Sequence, residues 1–422
     1  MSGNGASISK YVDFAGENVS AFFGKAGKAI KSFGPGIFLV GANIGVGSVT
    51  TMTTSGAQYG MNLLWALLLS CVFTGIMITV SSKVTLVNGE TVLAAFNKHI
   101  GKWIGAYLVI SIVFTEFFSC VGQFGVIGQA TAALVGIDFI WATLFWCVLV
   151  FVLMFFGTYE RYENWMLVIV TIFGLAFIID AFLVAPSISE VASGLVPSIP
   201  ADGGAMIAAA MVGTTLSGAT FVMRSYTLKG KNWTPSDFKH EKKDAILSAG
   251  MMAVLSVAVM ACAAGTFALG TKIDNAIQMA EPLAQMMPQG FALAGKWLFV
   301  IGVIGAGIST IFSIILITSW PVFDFFGKEW KADSKYFRIM ILAVCAAGMY
   351  MPLFHQKPVS LIVLAQALMT PIMPVLAIGL LYITNSKKIM GKHTNKWPLN
   401  VGLGLTAVFS VYTMVLFIQS FF

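Results

Sequence analysis

The chain has 422 residues, of which 58% are hydrophobic and only 10% are charged. Soluble domains carry roughly 45–50% apolar and about 25% charged residues, so this composition excludes an ordinary soluble protein and indicates a membrane protein. Apolar segments recur at approximately 35–57, 61–82, 103–135, 138–156, 165–185, 204–225, 245–270, 290–325, 337–352, 359–384 and 398–420. Most of them approach the roughly 20 residues that cross a bilayer, which predicts an all-α membrane protein with about 11 transmembrane helices.

Basic residues in the loops on one side of the lipid bilayer explain the net charge of +7. The charge therefore predicts no nucleic-acid partner. If the N-terminus is cytoplasmic, nearly all lysines and arginines lie on the inner side of the predicted spans, and Lys272, Lys296 and Lys357 lie outside. This asymmetry follows the positive-inside rule. We therefore predict a multi-pass protein of the plasma membrane with a cytoplasmic N-terminus and an external C-terminus.

Residues 1–33 are predicted to form a cytoplasmic tail with an amphipathic helix on the membrane surface. Apolar residues between Val19 and Phe33 recur at helical spacing, and Lys25, Lys28 and Lys31 lie between them, a pattern typical of an interfacial helix. A partly ordered tail is the alternative. The five cysteines occur singly within apolar segments, so we expect no disulfide framework, metal centre or cofactor.

Two of the predicted spans are poor continuous helices. The first contains four glycines between Gly36 and Gly47, and the sixth contains Gly213 and Gly218 around several hydroxyl residues. Glycine costs about 1 kcal/mol at each helical position. Unpaired backbone groups within a bilayer are tolerated only where they line a cavity or contact a ligand. We therefore predict that the chain unwinds at mid-membrane around residues 43–48 and 213–218.

These two segments occupy corresponding positions in two halves of five helices each. The predicted first repeat covers residues 34–185 and the second covers 204–384, followed by a loop and an eleventh helix at 385–422. Paired interruptions of this kind are typical of inverted-repeat transporters that bind their solute near the midplane. The alternative is that the glycines only allow neighbouring helices to pack closely.

Polar residues around the two breaks form the candidate site. Half-helix N-termini offer N–H groups to a carboxylate, and unwound carbonyl groups suit a cation. The predicted substrate-binding residues are Asn43, Gly45, Gly47, Ser48, Thr50, Thr214, Ser217, Thr220 and Gln366. The predicted coupling or gating residues are Glu116, Gln123, Ser309 and Thr310. Of these, Glu116 is an acid within a membrane span, where ionisable residues are rare and usually functional.

The sequence resembles the NRAMP (natural resistance-associated macrophage protein) family of divalent-metal transporters over about residues 34–385. The resemblance is carried by Gly34-Pro35-Gly36, by Ser55-Gly56-Ala57-Gln58-Tyr59-Gly60, by Thr115-Glu116, by Glu281-Pro282-Leu283 and by Leu364-Ala365-Gln366. It implies the LeuT-type fold, a 5+5 inverted repeat with broken helices 1 and 6. It also implies a secondary transporter and not an enzyme.

The matching positions lack the metal ligands that the family resemblance implies. Where the family has Asp-Pro-Gly-Asn in helix 1, this sequence has Gly45-Val46-Gly47-Ser48, and where it has Met-Pro-His in helix 6, this sequence has Ser217-Gly218-Ala219. The helix 3 aspartate of the family's proton route matches Gln123. The softness and geometry of the ligands determine transition-metal selectivity, so these replacements predict a different solute.

The sequence leaves three hypotheses about function. The first is alternating-access transport of a small organic solute, similar to an amino acid or a carboxylate. The second is transport of a divalent cation such as Mg²⁺ or Mn²⁺, held as a hydrated ion near Glu116, Gln123 and Gln366. The third is a sensor or structural bundle without transport. For the coupling ion the sequence offers two alternatives, Na⁺ held by Thr50, Ser309 and Thr310, or H⁺ through Glu116.

Overall fold

A computed structural model of the chain describes residues 45–156, 159–184, 186–230, 233–288, 290–328 and 334–422. Within these ranges nine helices are long and apolar enough to cross a membrane, and a tenth is counted if the bent segments Thr171–Leu183 and Ile188–Gly194 form one span. The all-α prediction is therefore confirmed. The predicted interfacial helix at 1–33 and the beginning of the first span lie outside the described residues.

The first half of the fold contains long helices joined by short turns. Its helices are α1 (Val46–Tyr59), α2 (Leu64–Asn88), α3 (Val92–His99), α4 (Lys102–Val135), α5 (Phe139–Phe156) and α6 (Tyr159–Leu183). Two of them end at glycines in the left-handed region, Gly89 with a φ of 67° after α2 and Gly136 with a φ of 77° after α4. Because a left-handed residue after the last turn satisfies free helix carbonyls, these glycines fix where the helices stop.

The remaining helices complete the bundle. They are α7 (Ile188–Gly194), α8 (Gly204–Thr215), α9 (Gly218–Gly230), α10 (Phe238–Thr266), α11 (Glu281–Met286), α12 (Ala292–Phe325), α13 (Lys335–Gly348), α14 (Tyr350–Leu353), α15 (Pro358–Ala367), α16 (Ile372–Asn385), α17 (Lys387–Met390) and α18 (Trp397–Gln419). Helix α10 begins well before the predicted span at 245–270. Its charged first turns are helical because Glu241 and Asp244 are buried there against Arg224 of α9.

The sixth span is broken, as the sequence predicted. Helices α8 and α9 are separated by Leu216 and Ser217, and Leu216 leaves the helical region with a φ of −102° and a ψ of 59°. The described part of the first span begins at Gly45, whose extended backbone precedes the first residue of α1. The helix therefore starts within the segment around 43–48 that was predicted to be unwound.

A third break was not predicted. The sequence indicated one continuous span at 359–384, but the structure divides it into α15 and α16, which are separated by a turn at 368–371. Pro371 immediately precedes α16 and Pro374 lies in its first turn. Proline has no N–H to donate and its ring collides with the preceding helical turn, so a straight helix through this segment is disfavoured.

Close approach of α1 to α10 shows how small residues hold the bundle together. A methyl group added at Gly56 would lie 2.3 Å from the carbonyl oxygen of Met260 and 2.8 Å from the side chain of Ala263. Glycine allows the two backbones to approach within this distance, which is the usual role of small residues between membrane helices. The contact fixes the C-terminal half of α1 beside α10.

Candidate functional site

A polar cavity lies where the broken sixth span meets α1, α4, α12 and α15. Its volume is about 30 Å³, and it is lined by Gly45, Gly47, Ser48, Glu116, Gln123, Thr214, Ser217, Thr220, Thr310, Ser313, Ile314, Ile317, Gln366 and Met369. One water molecule needs roughly 10–15 Å³ of such space. The cavity therefore has room for about two waters, or for a small ion with part of its hydration shell.

The structure brings most of the predicted site residues together. Those lining the cavity are Gly45, Gly47, Ser48, Glu116, Gln123, Thr214, Ser217, Thr220, Thr310 and Gln366. Thr50 is fully buried but is not among the lining residues. Ser309 is partly buried and does not line the cavity either, and its carbonyl oxygen accepts a hydrogen bond from the hydroxyl of Ser313. Asn43 lies outside the described residues. The binding and coupling roles of these residues stay predictions.

Hydroxyl groups form hydrogen bonds with backbone carbonyls near the two breaks, and one pair of hydroxyls joins the first span to the sixth. The hydroxyls of Ser48 and Thr214 lie 2.9 Å apart and form a hydrogen bond between the first and sixth spans. Thr51 donates to the carbonyl of Gly47 at 2.8 Å, and Thr74 of α2 donates to the carbonyl of Thr215 at 2.9 Å. Thr215 is the last residue of α8, so its carbonyl needs such a partner at membrane depth because the helix does not continue.

Gln366 lies between the two broken spans. A methyl group added at Gly47 would lie 2.3 Å from Nε2 of Gln366, and one added at Gly213 would lie 2.0 Å from the carbonyl oxygen of Gln366. The glycines are therefore needed for close approach to α15 as well as for unwinding. This contact places the amide of Gln366 at the cavity, one residue before α15 ends.

Glu116 supplies the carboxylate of the site. Glu116 is 5% exposed, and none of the described residues that line the cavity is basic. Because burying an unpaired charge in a membrane interior is costly, this carboxyl group requires either a bound cation or a proton. The cavity is accordingly suited to positive charge.

Sequence reasoning missed four lining residues, Ser313, Ile314, Ile317 and Met369. The sequence suggested that the family's thioether was lost at Ser217, but Met369 brings a sulfur atom to that position from the third break. The hydroxyl of Ser217 donates to this sulfur at 3.8 Å. The spacing from Gln366 to Met369, one helical turn, was the available signal, but it becomes informative only once the break is known.

The site is not a cage of charged metal ligands. Within the described ranges, no group of three or more His, Cys, Asp or Glu side chains is placed to hold a metal ion. The oxygen donors at the cavity are the carboxylate of Glu116, the amides of Gln123 and Gln366, and several hydroxyl and backbone groups. These are hard ligands, of the kind that Mg²⁺ and Mn²⁺ prefer.

Comparison with known proteins establishes the family. A family profile described as "Natural resistance-associated macrophage protein-like" matches residues 36–420. The chain belongs to the Nramp family. Members of this family are transporters, so the predictions of a multi-pass membrane transporter and of no enzymatic activity are confirmed.

Curated Nramp relatives match most of the chain at low identity. The divalent metal cation transporter MntH of Staphylococcus saprophyticus is 25% identical over 432 residues, which cover 94% of each chain. MntH of Deinococcus radiodurans is 22% identical over 375 residues, covering 85% of this chain and 82% of the relative. The natural resistance-associated macrophage protein 2 homolog of Dictyostelium discoideum is 23% identical over 410 residues. The match covers 91% of this chain but 62% of that relative's length.

Solved structures confirm the predicted LeuT-type fold. The Eremococcus coleocola manganese transporter superposes with a TM-score of 0.75 and 14% identity, covering 92% of this chain and 85% of that one. MhsT in complex with L-phenylalanine superposes with a TM-score of 0.62 and 12% identity, covering 92% of this chain and 98% of that one. At such identities the likeness shows the fold alone.

The prediction of a small organic solute is wrong. The relatives that match most of this Nramp chain are named divalent metal cation transporters, and a structural neighbour is a manganese transporter. The prediction failed because it rested on the residues that replace the family's metal ligands in helices 1 and 6. Other elements also contribute side chains with donor atoms to the cavity, including Glu116 from α4 and Met369 from the third break.

Proposed function

We propose that this Nramp protein carries a divalent metal cation across the membrane by alternating access, with part of the cation's water shell retained. The observation that carries the proposal is the position of Glu116, the one acidic side chain among the described cavity-lining residues. It faces a cavity whose other polar groups are neutral. The names of the curated relatives support the same class of solute.

The donor set favours a hard cation such as Mg²⁺ or Mn²⁺. Mg²⁺ commonly binds proteins through one or two carboxylates and keeps several of its waters, and a cavity with one carboxylate and neutral oxygens meets this requirement. A softer ion would gain less, because the thioether of Met369 is the one soft donor among the described lining residues and the other polar residues offer oxygen groups. The small volume of the cavity supports one ion with few waters.

The carboxylate of Glu116 provides most of the attraction in this account. Opposite unit charges about 4 Å apart gain about 4 kcal/mol at an effective dielectric constant of roughly 20. Since about 1.4 kcal/mol corresponds to a tenfold change in affinity, loss of this charge weakens cation binding by well over one order of magnitude. Neutral amides and hydroxyls then act mainly on geometry and selectivity.

Alternating access requires contacts on the two sides of the cavity to open in turn. On one side, the hydroxyl of Tyr226 in α9 donates to Asp324 of α12 at 2.8 Å, and Thr91 also donates to Asp324. On the other side, the indole of Trp65 donates to the carbonyl of Ser198 at 3.1 Å. We assign the first group to the cytoplasmic side, consistent with the predicted distribution of lysine and arginine.

Coupling and location form part of the same proposal. A proton bound to Glu116 on the return step would neutralise the carboxylate after the metal leaves, so we favour H⁺ over Na⁺ as the coupling ion. Of the three candidate Na⁺ donors, Thr50 and Ser309 lie outside the cavity lining and Thr310 alone lines it, which supports this choice. We place the protein in the plasma membrane, with a cytoplasmic N-terminus and an external C-terminus, on the basis of its charge distribution.

Uptake into proteoliposomes tests the proposal. The purified chain should show saturable uptake of Mg²⁺ or Mn²⁺ that empty vesicles lack. Glu116→Gln should reduce this uptake by about tenfold or more because the amide has similar volume and no charge. Ser410→Ala is the matched control, since Ser410 is buried in α18 and its hydroxyl bonds the carbonyl of Ala407. Absence of saturable flux for both metals would contradict the proposal.

A further inference from the structure

Ser119 holds both of the glutamine side chains that line the cavity. It lies on α4, one turn before Gln123, and is 2% exposed. Its hydroxyl oxygen accepts a hydrogen bond from Nε2 of Gln366 at 3.1 Å and another from Nε2 of Gln123 at 3.3 Å. Ser119 is not itself among the lining residues. Any effect it has on a bound ion therefore passes through the two amides.

These two hydrogen bonds determine which end of each amide remains available. A serine hydroxyl has one proton and can accept two hydrogen bonds, so at most one of the two glutamines could turn its carbonyl toward Ser119. In the structure neither does, and both NH₂ groups are directed at the hydroxyl. The carbonyl oxygen of Gln123 is buried and has no hydrogen-bond partner. Such a group is costly to leave unsatisfied, and a cation or its water would satisfy it.

The orientation of an amide decides whether it attracts or repels a cation. A carbonyl oxygen is a hard ligand for Mg²⁺ and Mn²⁺, whereas an NH₂ group donates hydrogen bonds and cannot coordinate a metal. Glu116 lies three residues before Ser119 and also lines the cavity. One helix and one hydroxyl thus connect the carboxylate and the two amide side chains that line the cavity.

We infer that Ser119 is a positioning residue for metal selectivity, which fixes the amides of Gln123 and Gln366 so that their carbonyl oxygens remain available to a hard divalent cation. The inference rests on the proposed metal transport. It differs from a purely structural role because it requires the effect of Ser119 to depend on the glutamines. Without the hydroxyl, either amide is free to turn its NH₂ group toward the ion.

The test compares Mg²⁺ and Mn²⁺ uptake kinetics for the full-length protein, Ser119→Ala, Ser119→Thr and the control Ser410→Ala. We expect Ser119→Ala to raise KM by about tenfold, which corresponds to about 1.4 kcal/mol, with a smaller change in the maximal rate. Ser119→Thr keeps the hydroxyl and should restore most of the affinity. The control should retain the KM of the parent protein.

A second background separates positioning from packing. In Gln366→Ala, one of the two amides is gone, so the additional effect of Ser119→Ala should shrink well below its effect in the parent chain. An unchanged KM in Ser119→Ala, or an equal effect in both backgrounds, would overturn the inference while leaving metal transport standing. A parent protein that transports neither metal would instead overturn the proposed function itself.

Discussion

A buried charge network on α9 and α10 provides a quantitative prediction about stability. The side chain of Arg224 is fully buried. Its Nε donates to Glu241 at 3.0 Å and its Nη2 donates to Asp244 at 2.6 Å. Ser82 of α2 also donates to Glu241. Removing one partner from a buried ion pair costs about 3–5 kcal/mol, because the other charge is left uncompensated. Arg224→Met leaves two neighbouring carboxylates, so we expect a loss in this range.

Variants of the acids should be less severe. Asp244→Asn leaves Arg224 paired with Glu241 and keeps an oxygen that can accept a hydrogen bond, so we expect a loss of about 1–3 kcal/mol. Thermal and denaturant unfolding of the purified protein in detergent would rank the variants by their free energy of unfolding. Arg338→Met is the matched control. Its exposed guanidinium lies 5.0 Å from the ring centre of Phe155, a contact worth about 0.5–1 kcal/mol. The reasoning is refuted if Arg224→Met is no less stable than this control.

Two further predictions concern the cavity. Gly213→Ala should severely reduce both the yield of folded protein and metal uptake, because the added methyl group would lie 2.0 Å from the carbonyl oxygen of Gln366. Gly250→Ala is the control: its added methyl group enters open space, so the variant should behave as the parent does in size-exclusion and uptake assays. Met369→Leu should preserve Mg²⁺ uptake and weaken the inhibition of that uptake by Cd²⁺, because the substitution removes the thioether beside Ser217 that a soft ion prefers. Stronger inhibition by Cd²⁺ would contradict this role.

Local sequence features predicted the helical fold and one of its decisive irregularities. Apolar segments long enough to span a bilayer depend on composition alone, and the break between α8 and α9 was indicated by Gly213, Gly218 and the hydroxyl residues between them. The break between α15 and α16 was missed, because Pro371 and Pro374 stand in a segment that is otherwise apolar. Hydrophobicity alone does not report on helix continuity there.

Long-range contacts explain the other errors. The first turns of α10 look like a solvated loop in sequence, since the burial of Glu241 and Asp244 depends on Arg224 from the preceding helix. The cavity likewise depends on contacts between distant segments. Met369 approaches Ser217 across 152 positions of the chain, and Gln366 reaches Ser119 across 247. No local pattern encodes such pairs, so the solute class was misjudged, although most of the residues that line the cavity were named from the sequence.

Isothermal titration of Mn²⁺ and Mg²⁺ into the purified protein, at constant ionic strength, tests most directly whether the cavity binds a divalent cation through Glu116. The account predicts one saturable site in the parent protein and an affinity weakened by about tenfold or more in Glu116→Gln, since the amide variant removes the carboxylate charge from the cavity. Ser410→Ala should bind as the parent does. Equal affinities in the parent and Glu116→Gln, or no saturable binding in the parent, would contradict the account.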